Sequence, residues 1–161
     1  MAADYCAVFD AAADRELRTA TLLSNRAAYT ITTWFRPTSF AALGYIFSLN
    51  HDDLFDTNEE YGVDTSGRLF AAANFFAQTT GSTLSLNTWY WLALARTSQT
   101  GDQRIYLESV QDVSLANSTE FGSEATRMEL GGARSDNACQ LPCKLAYPRA
   151  WDVLLTKTEI A

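Results

Sequence analysis

The residues best equipped for chemistry lie between positions 50 and 60, where Asp52, Asp53, Asp56, Glu59 and Glu60 are interleaved with Asn50 and Asn58. Carboxylate and amide oxygens are the hard donors that Ca²⁺ prefers, and the ion takes roughly six to eight of them. Asp52, Asp53, Asp56 and Asn58 form the candidate calcium set. Their spacing is not that of an EF-hand, and the competing reading of the same residues is a solvated acidic loop. His51, the single histidine, falls in this stretch with no nucleophile beside it. No Ser-His-Asp or Cys-His arrangement takes shape around it, so it reads as an exposed loop imidazole.

Two further groups are chemically eligible. Cys6 alternates with apolar neighbours and reads as a buried thiol. Cys139 and Cys143 either close a small loop as a disulfide in an oxidising compartment or supply half of a metal site, for which no other ligand set remains. Among the aromatics, Trp91, Phe75 and Phe76 are the candidates for contact with a ligand or partner, because aromatic faces stack on sugars and on proteins alike. Packing inside the fold is the alternative for Trp91. No glycine-rich phosphate loop and no dinucleotide fingerprint is present.

The elements that must position these groups are strands. The 161 residues are 47% hydrophobic and 12% aromatic, enough for one domain, residues 1–161, with its own core. Residues 29–37 and 87–95 are runs of β-branched and aromatic residues, too apolar on both faces for a solvated sheet. Further strand signals near 5–10, 15–19, 43–49, 60–65, 68–75, 83–86, 103–109, 112–117, 126–131 and 144–152 are punctuated by turn residues at 64–67, 80–82, 99–102 and 131–132. Many short strands mean a sandwich or barrel, not a βαβ sheet. Thr156 and Glu159 have the form of a capping box, which predicts one helical turn over 157–161.

Charge narrows the partners. The balance of 12 basic and 19 acidic residues gives −7, and the basic residues are scattered in the sequence, which argues against nucleic acid. No apolar stretch approaches the roughly 18 residues of a membrane span. The first ten residues carry an early acid and no basic region, so we read no signal peptide there.

Six motifs in order resemble one family. They are Val8-Phe9-Asp10; an aromatic-Thr-Ile-x-x-Trp-x-basic-Pro strand from Tyr29 to Pro37; Asn87-Thr88-Trp89-Tyr90; a tyrosine-centred strand at Ile105-Tyr106-Leu107; Leu130-Gly131-Gly132; and Arg149-x-Trp151-Asp152 followed by Leu155 to Ile160. The chain thereby resembles a laminin G-like domain of the concanavalin A-like lectin/glucanase superfamily, in its bacterial and phage branch. The resemblance implies an all-β, two-sheet antiparallel jelly-roll sandwich with a short C-terminal helical turn. It also implies core packing for Trp34, Trp89 and Trp151. The family usually has an Asp-Gly hairpin where Glu108-Ser109 stands, so a differently built turn is expected. Leu141-Pro142-Cys143 replaces its usual glycine before the last strand.

Glycosidases of that superfamily hold carboxylates two residues apart on one strand, and retaining hydrolysis needs them about 5 Å apart. Glu59, Glu108 and Glu129 have no such partner, so the chain reads as non-catalytic. The expected function is a structural or decoration module displayed on a larger assembly, most readily the surface of a phage virion, capsid or tail, with adhesion to host glycan. The alternative is a carbohydrate- or protein-binding lectin-type adhesion module of an extracellular or cell-surface protein. Partners are then other proteins of the assembly, further copies of the chain, and a glycan; the one cofactor considered is Ca²⁺.

Overall fold

The computed structural model describes residues 6–9, 17–20, 28–51, 54–73, 76–97, 102–115, 127–131 and 141–161. Within them run the strands β1 (Ala7–Phe9), β2 (Leu17–Ala20), β3 (Tyr29–Pro37), β4 (Gly44–His51), β5 (Leu54–Val63) and β6 (Arg68–Ala73). They continue as β7 (Phe76–Thr83), β8 (Tyr90–Arg96), β9 (Gln103–Leu107), β10 (Val110–Leu115), β11 (Arg127–Leu130) and β12 (Cys143–Trp151), before the helical turn α1 (Lys157–Ile160). Sheet I has the order β1-β12-β3-β8-β9-β10 and sheet II the order β2-β11-β4-β5-β6-β7. Every pairing is antiparallel. This is the two-sheet sandwich expected from the sequence.

Alternation on β3 and β8 builds the layer between the sheets. Tyr29, Ile31 and Phe35 point inward from β3, as Leu92 and Leu94 do from β8, and they meet Phe47, Tyr61 and Leu69 of sheet II. The β-branched and aromatic residues that fill these strands suit a pleated, buried surface. A second, smaller cluster forms on the far side of sheet I. There Ala93, Ala95 and Tyr106 are covered by Ile160 and Leu155 of the C-terminal segment. The capping box predicted at Thr156 is present: its side chain accepts from the Glu159 amide while Glu159 reaches back to the Thr156 amide. Thr30 ties the segment down, donating to the Val153 carbonyl at 3.0 Å and accepting from the Leu155 amide at 2.9 Å.

Several expectations need correction. The tryptophans are not core residues: Trp34 faces outward from β3 and is half-buried, Trp89 precedes β8 and Trp151 ends β12, both half-buried. Pleating explains this, since Trp34 is one residue out of phase with Ile31 and Phe35. The stretch 50–60 is not a loop through its length. β5 begins at Leu54, paired with His51, so most of the stretch is a hairpin arm. No separate strand forms at 83–86, because β7 ends at Thr83. Cys143 is a free, buried thiol facing the core, pushed up in pKa by burial, so it forms no disulfide; Cys139 lies outside the described residues. Cys6 is free and half-buried. The Glu108-Ser109 turn is built as the usual tight hairpin after all. Both residues take positive φ, 50° and 66°, which is the signature of a type I′ turn, and Leu107 pairs directly with Val110.

Candidate functional site

Three polar or aromatic assemblies are candidates, and access to solvent separates them. The first lies between the sheets. Glu59 of β5 forms an ion pair with Arg96 of β8 and accepts a hydrogen bond from the Tyr29 hydroxyl, with both charged residues 1% exposed. The Tyr29 hydroxyl lies 3.0 Å from that of Tyr61, which donates to the Ala95 carbonyl at 3.1 Å. Gln103 completes the group, its amide donating to the Ala72 carbonyl of sheet II. Partnered in this way, the charges are tolerated at depth. No substrate reaches them, so the cluster is a rivet joining the sheets.

That rivet has a pH signature. Burial raises the pKa of Tyr29, as does the adjacent Tyr61 hydroxyl, with Arg96 opposing; burial likewise raises Tyr61, against its hydrogen bonds with Tyr29 and Gln103. The folded state therefore holds protons that an unfolded chain releases above about pH 10. Stability is complete below that pH and falls as pH rises, by up to about 1.4 kcal/mol per pH unit for each phenol. Thermal melts across that range should show the decline, and Tyr29→Phe should make it shallower. An identical slope in the variant would remove Tyr29 from this role.

The second assembly crosses the outer face of sheet II. Register places Glu129 of β11 opposite Ser48 of β4, and Ser48 opposite Glu60 of β5. Glu129 Oε2 accepts from the Ser48 hydroxyl at 3.3 Å. Sequence spacing could not reveal this row, because the carboxylates are brought together across strands. They stand two strand spacings apart, roughly 10 Å at the backbone. Glu129 is 0% and Glu60 7% exposed, so both are shut from solvent.

The third assembly is open. On the outer face of sheet I, Trp34 and Trp91 are register partners with ring centroids 5.5 Å apart and planes tilted by 50°. The Trp91 indole donates to the Ile160 carbonyl at 2.7 Å, and its backbone amide donates to Glu108 Oε1 at 2.9 Å. Trp34 also pairs with Ala146 of β12, after which the register shifts until Arg149 faces Thr32. This bulge holds Tyr147 at φ 53° with its side chain 54% exposed. Bulges re-aim side chains, and a bulky residue at positive φ is strained. Lys144 opposite Arg36, and the exposed Arg149, place three cations around the aromatic pair.

Of the residues singled out from sequence, Trp91 joins this patch, where it both packs on Trp34 and anchors the C-terminal segment. Phe76 opens β7 and pairs with Ala73, while Phe75 lies outside the described residues. Asp56 and Asn58 fall on β5; Asp52 and Asp53 lie outside the described residues. Among the described residues, no three His, Cys, Asp or Glu side chains form a group able to hold a metal. Sequence reasoning overlooked Arg36, Lys144, Tyr147 and Arg149. Basic residues that look scattered along the chain converge only once β12 lies beside β3.

Comparison with known proteins gives the context. The family model described as the concanavalin A-like lectin/glucanases superfamily, laminin G type, matches residues 10–161. Among solved structures, the CBM40 of a Ruminococcus gnavus IT-sialidase bound to α2,3-sialyllactose superposes with TM-score 0.70 at 11% identity, covering 89% of this chain and 96% of that one. The heptameric SAP-like pentraxin of Limulus polyphemus gives 0.65 at 17% identity, over 90% and 73% of the two chains. A Trypanosoma rangeli sialidase gives 0.69 at 13% identity over 84% of this chain, which spans only 22% of the sialidase. At these identities the likeness is one of fold. No curated protein matches the sequence.

Proposed function

The chain belongs to the concanavalin A-like lectin/glucanases superfamily, and from that premise we propose that it is a non-catalytic carbohydrate-binding module displayed on a larger assembly. The observation that carries this reading is the half-buried Trp34–Trp91 pair on the outer face of sheet I, with exposed Tyr147 on the bulge of the neighbouring strand. A half-buried ring pair offers rigid apolar surface at little entropic cost, and an exposed tyrosine adds an edge with a hydroxyl. Hydrolysis is disfavoured because Glu60 and Glu129, the carboxylates that register aligns, are both buried and shut from a substrate in solvent.

Display on a phage virion is the finer part of the proposal. It is supported by apolar side chains left exposed on the two edge strands of sheet I, Val8 on β1 and Val110 on β10. Unpaired edges of that kind dock readily against a neighbouring strand or protein. An extracellular or cell-surface parent protein would use the same edges.

The test is a glycan array probed with the intact chain, followed by titration of the best binder. Tyr147→Asn, a residue that tolerates positive φ, should weaken binding about tenfold, corresponding to ~1.4 kcal/mol, with an unchanged melting temperature. Undiminished affinity in that variant would move the ligand off this face.

A further inference from the structure

Resting on that reading, we infer that the saccharide taken by the outer face of sheet I is anionic and carries a carboxylate. The chain is acidic overall, with 19 acidic against 12 basic residues. Yet Lys144 and Arg36 are direct cross-strand partners on the outer face, and Arg149 follows just beyond the bulge on the same strand as Lys144. Like charges placed directly opposite destabilise a sheet. Among the described residues, no carboxylate pairs with any of the three; the ion pairs there are Asp64–Arg68, Glu59–Arg96 and Asp102–Arg104. Arg36 makes one long hydrogen bond, from Nη2 to Asn87 Oδ1 at 3.4 Å, and its Nε has no partner. Glu108, on the far side of the ring pair, is already committed to the Trp91 amide.

A fold carries such a concentration of like charge at a cost, and a negative ligand offsets it. The guanidinium fork matches a planar carboxylate in two parallel hydrogen bonds, and Lys144 adds a compact charge beside it. The sugar ring would lie on Trp34 while its carboxylate turns toward Arg36 and Lys144, with Arg149 closing the other side. A neutral sugar would leave all three cations unanswered.

The experiment compares hexuronate oligosaccharides with their carboxyl-reduced neutral counterparts and with sulfated neutral oligosaccharides of the same length, alongside a broad panel of neutral glycans. The intact chain should prefer the hexuronate over its reduced form by at least about tenfold at low ionic strength, and the preference should shrink as salt screens the charges. Arg149→Gln with Lys144→Gln should erase the preference without lowering the melting temperature; both replacements also relieve like-charge repulsion. Equal binding of charged and neutral forms, or a preference confined to the sulfated sugar, overturns this inference and leaves the carbohydrate reading intact. Failure to retain any saccharide across the panel overturns the carbohydrate reading itself.

Discussion

Arg96→Ala should cost about 3–5 kcal/mol, the range found when one partner of a buried ion pair is removed. The reason is what stays behind. Glu59 is 1% exposed, held by Arg96 and the Tyr29 hydroxyl, and without the guanidinium it becomes an uncompensated charge between two sheets. Against a total stability of roughly 5–15 kcal/mol for a domain, that is a large share. It should appear as a fall of about 6–20 °C in melting temperature, given some 2–4 °C per kcal/mol at this size. A companion variant separates charge from packing. Replacing Glu59 and Arg96 together, by leucine and methionine, should recover most of the loss, because apolar residues of similar volume substitute well for a buried pair. Urea denaturation of the two proteins decides the matter: a single variant losing less than about 1 kcal/mol would mean that Glu59 finds water.

The second large effect is expected at Phe35. It is fully buried on β3, facing the layer between the sheets, so Phe35→Ala removes a ring from dense packing and should cost about 3–5 kcal/mol. Trp34→Ala, one residue earlier on the opposite face, should cost about half as much despite the larger ring, because a good part of its surface is in water in either case. The ordering of the two variants is the test. If the tryptophan change proves the costlier, the inward and outward faces of β3 have been assigned the wrong way round.

That ordering shows where the sequence was legible and where it was not. The strand at residues 29–37 could be read from its composition, and its partner at 90–96 likewise. Which residue of each pair faces inward could not, because Trp34 and Phe35 are both large and apolar and a one-residue phase shift exchanges them. The capping box at Thr156 was legible because its chemistry is local. The Glu108-Ser109 turn was misread because glycine was assumed necessary; these residues accept positive φ there, with Glu108 anchored to Trp91 through both its amide and its carboxylate. The site was the least legible part. Arg36 and Lys144 are far apart in the chain, and only antiparallel pairing of β12 with β3 makes them neighbours. The same holds for Glu60 and Glu129, which meet through β4.

The placement of β3 between β12 and β8 also bears on how the chain acquires its shape during synthesis. Neither neighbour is adjacent in sequence, and the hydrogen bond from Thr33 to the Ala146 carbonyl spans 113 positions. A ribosome adding about 5–20 residues per second therefore exposes one flank of β3 for several seconds before its mate exists. Distant pairings of this kind slow folding to the millisecond-to-second range, since the loop entropy is paid before the contacts form. Sheet II can assemble its run β4-β5-β6-β7 from successive hairpins while that interval lasts. The nascent chain thus carries a half-finished sandwich whose open seam is the flank of β3 that awaits β12, beside Trp34, and a holdase chaperone would find its hold there.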